Sequence, residues 1–215
     1  ITASVVGDIQ AFNHRTLSKR YAVIYLDATH LPVRRDTVTK EALYFALGIT
    51  PEGYKEILSY SLFPTESAHN WEIVLSDLRV RGVEESLLFV TDGLTGMRDA
   101  ISNVFPKARH QSCWVHLSRN VAHAVRVKDR SEVLSDLKTV YTQDTLENAE
   151  AALNTFINTW DKRYPKVTDK LKNNPSLFTF LSFPKEIRAS IYTTNLIEGF
   201  NKHLKRYTKR KEQFP

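Results

Sequence analysis

One stretch limits the fold of this chain more than any other: Tyr21-Ala22-Val23-Ile24-Tyr25-Leu26-Asp27. An unbroken apolar run that ends in an acid reads as a strand buried on both faces, in the middle of a sheet. A second run, Leu87-Leu88-Phe89-Val90-Thr91-Asp92, ends the same way. Between them, residues 43–49 and 57–63 read as strands separated by the turn Thr50-Pro51-Glu52-Gly53. Short connections make the first three strands an antiparallel meander. A helix from Asn70, with Trp71, Val74, Leu75 and Leu78 on one face and Gly82 past its end, precedes the fourth strand. Another, striped by Met97, Ile101, Val104 and Phe105 and stopped by Pro106, follows it. Residues 109–115 read as a short fifth strand. The order β-β-β-α-β-α-β predicts a mixed sheet, its last strands parallel to the first, with helices packed on it.

From about residue 120 the period changes. Val133, Leu137, Val140 and Tyr141 fit one helix, and Leu146, Ala149, Leu153, Phe156 and Trp160 fit another at spacings of 3 and 4. Pro165 and Pro175 punctuate, and Leu177, Phe178, Leu181 and Phe183 read as further helix. This all-α block interrupts an α/β pattern and is predicted to be an insertion. The expected organisation is a lead-in over 1–20, a core over 21–119, the insertion over 120–190, and a final core helix within 191–215. That last helix starts near Asn195, with Ile197, Phe200, Leu204 and Tyr207 as its apolar stripe. Glu198, Asn201, Lys202, Lys205 and Lys209 share a different face. Glu198 also fits a plain capping box with Asn195.

Composition narrows the class. The 215 residues are 42% hydrophobic and 25% charged, which suits a globular protein with one large domain or a domain carrying an insertion. The formal charge of +6 is concentrated late: Lys202, Lys205, Arg206, Lys209, Arg210 and Lys211 face Glu212 alone. A clustered excess points to an anionic partner more strongly than net charge does. One cysteine, Cys113, excludes an internal disulfide framework and fits a reducing cytoplasm. No apolar run approaches the roughly 20 residues of a membrane span. The chain opens at Ile1 and stops just after its most basic stretch, which points to a piece of a longer protein.

Asp27 and Asp92 each close a predicted buried strand, and the functional crevice of an α/β sheet lies outside such ends. If their strands are parallel neighbours, both acids face one point; Asp92-Gly93 is also an ordinary turn signal. With Glu198 they form an Asp, Asp, Glu set. Carboxylates suit a hard divalent ion, and two such ions about 3.5–4 Å apart stabilise both the attacking and leaving oxygens in phosphodiester cleavage.

Four segments carry a specific resemblance: Tyr25-Leu26-Asp27-Ala28-Thr29-His30 with Arg34, Phe89-Val90-Thr91-Asp92-Gly93, Gln111-Ser112-Cys113-Trp114-Val115-His116, and Thr193-Thr194-Asn195-Leu196-Ile197-Glu198-Gly199-Phe200-Asn201. In this order, and across nearly the whole chain, they resemble the catalytic domain of Mutator-type transposases, in the bacterial insertion-sequence branch. The resemblance implies a ribonuclease-H-like fold, a mixed five-stranded sheet with an α-helical insertion before the last catalytic helix. It implies that Asp27, Asp92 and Glu198 are the catalytic and metal-binding residues, holding two Mg²⁺ or Mn²⁺ ions. The implied reaction is cleavage at the element end by water, followed by attack of the freed 3′-hydroxyl on target DNA. Implied partners are the terminal inverted repeats and target DNA, bound by a homodimer, in a bacterial cytoplasm at the nucleoid.

Other residues attach to this reading. Arg34, Arg35, Asn195, Asn201, Lys202, Lys205, Arg206 and Lys209 are the candidate DNA contacts. His30, Cys113 and His116 are expected beside the active site. Cys113 and His116 supply two of the four ligands a structural zinc needs, with His110 alone nearby. Trp160 closes an apolar helix stripe, where it either packs in a core or stacks on an unpaired base. Two rivals remain: a ribonuclease-H-like nuclease or resolvase that does not join strands, and a domesticated DNA-binding protein. The insertion argues against the first, and the three acids argue against the second.

Overall fold

The computed structural model describes residues 3–34, 36–192, 199, 202, 203 and 206. Arg35, Asn195, Glu198, Asn201, Lys205 and Lys209 therefore lie outside the described residues. Five strands form one sheet in the order β3-β2-β1-β4-β5. They are β1 (Arg20–Arg34), β2 (Val38–Ile49), β3 (Lys55–Phe63), β4 (Glu85–Thr91) and β5 (Arg109–Ser112). β2 is antiparallel to both β1 and β3, while β4 runs parallel to β1. This is the mixed, helix-flanked sheet of the ribonuclease-H-like expectation, and its central strand, β1, contains the apolar run that leads to Asp27.

The chain divides into two compact units, Ile1–Arg109 with Ile197–Pro215, and His110–Leu196. In the first, α1 (Ala3–His14), α2 (Ala68–Val80) and α3 (Met97–Val104) accompany β1–β4. Ile24 and Leu26 of β1 are buried in one core with Trp71, Leu75 and Leu78 of α2 and Met97 and Ile101 of α3. Each such side chain contributes about 1.5–3 kcal/mol relative to exposure. Strand alternation then puts Asp27, with Val23 and Tyr25, on the opposite face of β1. Ser67 starts α2 by accepting a hydrogen bond from the Asn70 backbone N–H at 3.1 Å, so the helix begins two residues before the predicted Asn70.

β1 is longer than its apolar run. Its pairing with β4 stops at Leu26–Thr91, but its pairing with β2 continues to Arg34–Val38. The predicted strand end at Asp27 is therefore the end of β4 coverage rather than of β1. β4 also departs from two-sided burial at its start, where Leu87 is exposed.

The second unit begins within β5 and is helical after it. It holds α4 (Trp114–Ala124), α5 (Arg130–Tyr141), α6 (Leu146–Trp160), α7 (Pro165–Lys172) and α8 (Lys185–Ile191), with short 3₁₀ turns at Val127–Asp129 and Thr179–Ser182. β5 ends at Ser112, and residues 114–115, predicted as strand, open α4 instead. Trp114, Leu117 and Val121 recur at helical spacing, a pattern that a run as short as Cys113-Trp114-Val115 conceals. Gln111, fully buried, ties this unit together: its Nε2 donates to Leu177 O at 2.9 Å and its Oε1 accepts from Phe180 N at 2.8 Å. No described helix is long and apolar enough to cross a membrane.

Candidate active site

The parallel register of β1 and β4 explains how two acids far apart in sequence come together. Leu26 is the partner of Thr91, so Asp27 and Asp92 are the next residues of adjacent parallel strands. Oxygen atoms of the two carboxylates lie within 4.8 Å of one another. Asp27 is only 3% exposed, and its Oδ1 accepts from the Ala28 N–H at 2.8 Å. Asp92 sits just past β4, half-buried, where its Oδ1 accepts from Leu94 N at 3.2 Å in an Asx turn. The left-handed Gly93 (φ 88°) and Gly96 (φ 86°) bend the chain from there into α3.

Two carboxylates this close, one of them almost fully buried, repel each other unless a proton or a cation intervenes. Their donor atoms are all oxygen, the preference of a hard divalent cation. The pair therefore fits such an ion on its own chemistry.

A third carboxylate belongs to the same neighbourhood. Glu66, in the loop before α2, titrates above the usual carboxylate range because it is desolvated, and secondly because the charge of Asp92 opposes its own; the Trp71 indole opposes the shift. Its Oε1 and the Trp71 Nε1 are both buried without a hydrogen-bond partner. Sequence reasoning passes over Glu66, since Pro64-Thr65-Glu66-Ser67 reads as an ordinary polar loop leading to a helix cap.

His30 and Arg34 are exposed on β1, and both fall on the opposite side of the strand from Asp27, since each is an odd number of residues away. The expectation that His30 points where Asp27 does is corrected by this register; continuous pairing through residue 34 leaves no bulge to turn it. In the second unit, Cys113 is buried at the residue before α4, and His116 lies half-buried in the first turn of that helix. His110 hydrogen-bonds Ser176 Oγ at 2.9 Å, and among the described residues no metal-ligand group forms around Cys113.

Trp160 is not available for stacking. It is 3% exposed, its Nε1 donates to Asp136 Oδ2 at 2.9 Å, and its ring packs against Tyr164 with Arg163 over it. Lys202 and Arg206 are helical and exposed, as are Gly199 and His203.

A family model described as "Transposase, Mutator family" matches residues 1–215. The chain belongs to the Mutator family of transposases. Among its relatives, the transposase for insertion sequence element IS905 of Lactococcus lactis subsp. lactis (strain IL1403) is 44% identical over 215 residues, which is all of this chain and 55% of that protein. The transposase for insertion sequence element IS1201 of Lactobacillus helveticus is 40% identical over 216 residues, which is all of this chain and 58% of that protein. The chain thus spans a little over half the length of these Mutator-family relatives. A chain of the Drosophila P element transposase strand transfer complex is similar over 92% of this chain and 69% of that one, at 13% identity and a TM-score of 0.37, which adds nothing to the strand order itself.

Proposed function

We propose that this chain is the catalytic part of an insertion-sequence transposase that cuts element-end DNA and joins the freed 3′-hydroxyl to target DNA. The observation that carries the reading is the convergence of Asp27 on β1 with Asp92, the residue just past the parallel β4, in a chain of the Mutator family. Asp27 and Asp92 would hold Mg²⁺ or Mn²⁺, with Glu198 completing the set and two ions served. When bound, such ions lower the cost of charge on the attacking and leaving oxygens of the phosphodiester. The protein's part is orientation. The Ala28 and Leu94 N–H groups each hold one Oδ1, fixing the planes of the two carboxylates. The near-complete burial of Asp27 excludes bulk water and strengthens its hold on a cation.

DNA enters this reading through charge. Lys202 and Arg206, both helical and exposed, would track backbone phosphate together with Lys205 and Lys209 of the sequence, and Arg34 on the exposed end of β1 would add a further contact. The substrates would be terminal inverted repeats and target DNA, bound by a homodimer at the bacterial nucleoid.

The test uses full-length transposase and DNA bearing the element's ends. Asp27→Asn, Asp92→Asn and Glu198→Gln should each lower Mg²⁺-dependent cleavage on the order of a hundredfold or more, since several kcal/mol of charge stabilisation is lost at about 1.4 kcal/mol per tenfold. Wild-type cleavage rates in the variants would remove the assignment. Joining of the 3′ end to a target plasmid distinguishes a transposase from a nuclease that only cuts.

A further inference from the structure

We propose that Glu66 is a positioning residue for the cation site of Asp27 and Asp92, its carboxylate accepting hydrogen bonds from the water shell of a bound divalent ion. The inference rests on the cation site proposed above. Glu66 is not a member of the group whose ligand atoms gather within 4.8 Å, so its place is outside direct coordination. Mg²⁺ is commonly held by one or two carboxylates and keeps several waters, which outer carboxylates orient.

The geometry around Glu66 is built rather than incidental. One hydroxyl pins the backbone on both sides of it: Tyr44 Oη donates to Thr65 O at 3.1 Å and accepts from Ser67 N at 2.7 Å. Asn70 Nδ2 donates to Thr65 O at 2.8 Å, and Ser67 caps α2. The loop leaving Asp92 is fixed against the same segment, because a Cβ on Gly96 would come within 2.9 Å of the Ala68 Cβ.

In this rigid setting the carboxylate keeps one buried oxygen without a donor, beside an indole N–H that is also unpaired. Leaving a buried acceptor open is costly, and more so for a charged one. A glutamate whose only polar neighbour is the Trp71 indole leaves the acceptor capacity of its buried Oε1 unused. One serving a hydrated cation keeps its oxygen open until the ion arrives, and its closeness to Asp92 is then an attraction shared through a positive charge.

The experiment is a Mn²⁺ titration of the 215-residue chain, followed by electron paramagnetic resonance of free Mn²⁺, together with melting curves without metal. Glu66→Gln should weaken Mn²⁺ binding about tenfold to a hundredfold, while the metal-free melting temperature stays level or rises. Wild-type affinity in Glu66→Gln overturns the proposal. Asp92→Asn separates the two readings. If it binds Mn²⁺ like the wild-type chain, the cation site itself is wrong, and Glu66 with it. If it loses binding while Glu66→Gln does not, only the role of Glu66 falls. Should Glu66→Gln fail to fold, Glu66→Asp carries the same test: it keeps the charge but withdraws it by one methylene, and unchanged affinity counts against the proposal.

Discussion

Asp27 is an acid at a strand position that its six predecessors mark as apolar, and this mismatch makes it legible. A buried aspartate in a central strand is costly without a partner, so the sequence context alone singles it out. Asp92 is legible for the same reason. Glu66 is not, because its significance depends on where β2 and the α2 cap hold its loop, and no local pattern encodes that. Trp160 shows the opposite failure: an aromatic at the end of an apolar stripe is also what a core residue looks like, and Asp136 decides the matter by taking its N–H. A stability prediction follows for the site. Asp92→Asn keeps an acceptor for Leu94 N–H but removes the like charge facing Asp27 and Glu66. Its metal-free melting temperature should rise by about 2–4 °C, equivalent to about 1 kcal/mol for a chain of this size, in differential scanning calorimetry.

At the level of elements, the faces of helices are easier to read than the ends of strands. Trp71, Val74, Leu75 and Leu78 of α2 are all buried as their spacing requires. The apolar run understates β1 because Ala28-Thr29-His30 is chemically mixed, and what keeps that part extended is its partner β2. The β5–α4 boundary is blurred because Cys113, Trp114 and Val115 suit a strand and a helix equally. One junction is held by a single side chain that sequence does not flag. Arg81, 9% exposed, donates to Leu58 O at 2.8 Å and to Arg15 O and Phe12 O at 3.2 Å, and pairs with Asp77 at 3.2 Å. Arg81→Met would take this donor from Leu58 O and Arg15 O, leaving Phe12 O with Arg15 Nη1 at 3.0 Å, and should cost about 2–4 kcal/mol by urea denaturation.

In the helical unit two acids act as clamps. Asp129 takes a hydrogen bond from Tyr164 and an ion pair from Arg163 at 3.2 Å; Asp161 takes Thr168 Oγ1 and Lys172 Nζ. These hydrogen bonds first, and the cations with them, hold both carboxyls below the usual carboxylate range. Their contribution is therefore present above the unfolded value, about 4, and is lost as the pH falls through the lower folded values. Asp129→Asn with Asp161→Asn should lower the melting temperature by a near-constant amount between about pH 5 and 7 and flatten the acid limb below about pH 4, where variant and wild type converge.

For the whole molecule, a mixed sheet followed by an all-α block is foreseeable because the change of period near residue 120 is strong. The division at His110 falls earlier than that change, since β5 carries on into the helical unit through Gln111 and its bonds to Leu177 and Phe180. Charge is the other property of the whole. Neutralising Lys202, Lys205 and Arg206 should weaken DNA binding and reduce the slope of log affinity against log salt by roughly 0.9 for each phosphate no longer neutralised, measured by fluorescence anisotropy.

The proposed chemistry stands on Asp27 and Asp92 gripping a divalent cation between adjacent parallel strands. Anomalous scattering from a Mn²⁺-soaked crystal of this chain tests that grip most directly. The expected result is a manganese peak bonded to carboxylate oxygens of both Asp27 and Asp92, at roughly 2.0–2.2 Å as for a small hard cation. A well-ordered crystal with both aspartates resolved and manganese bound elsewhere, or nowhere, would contradict it.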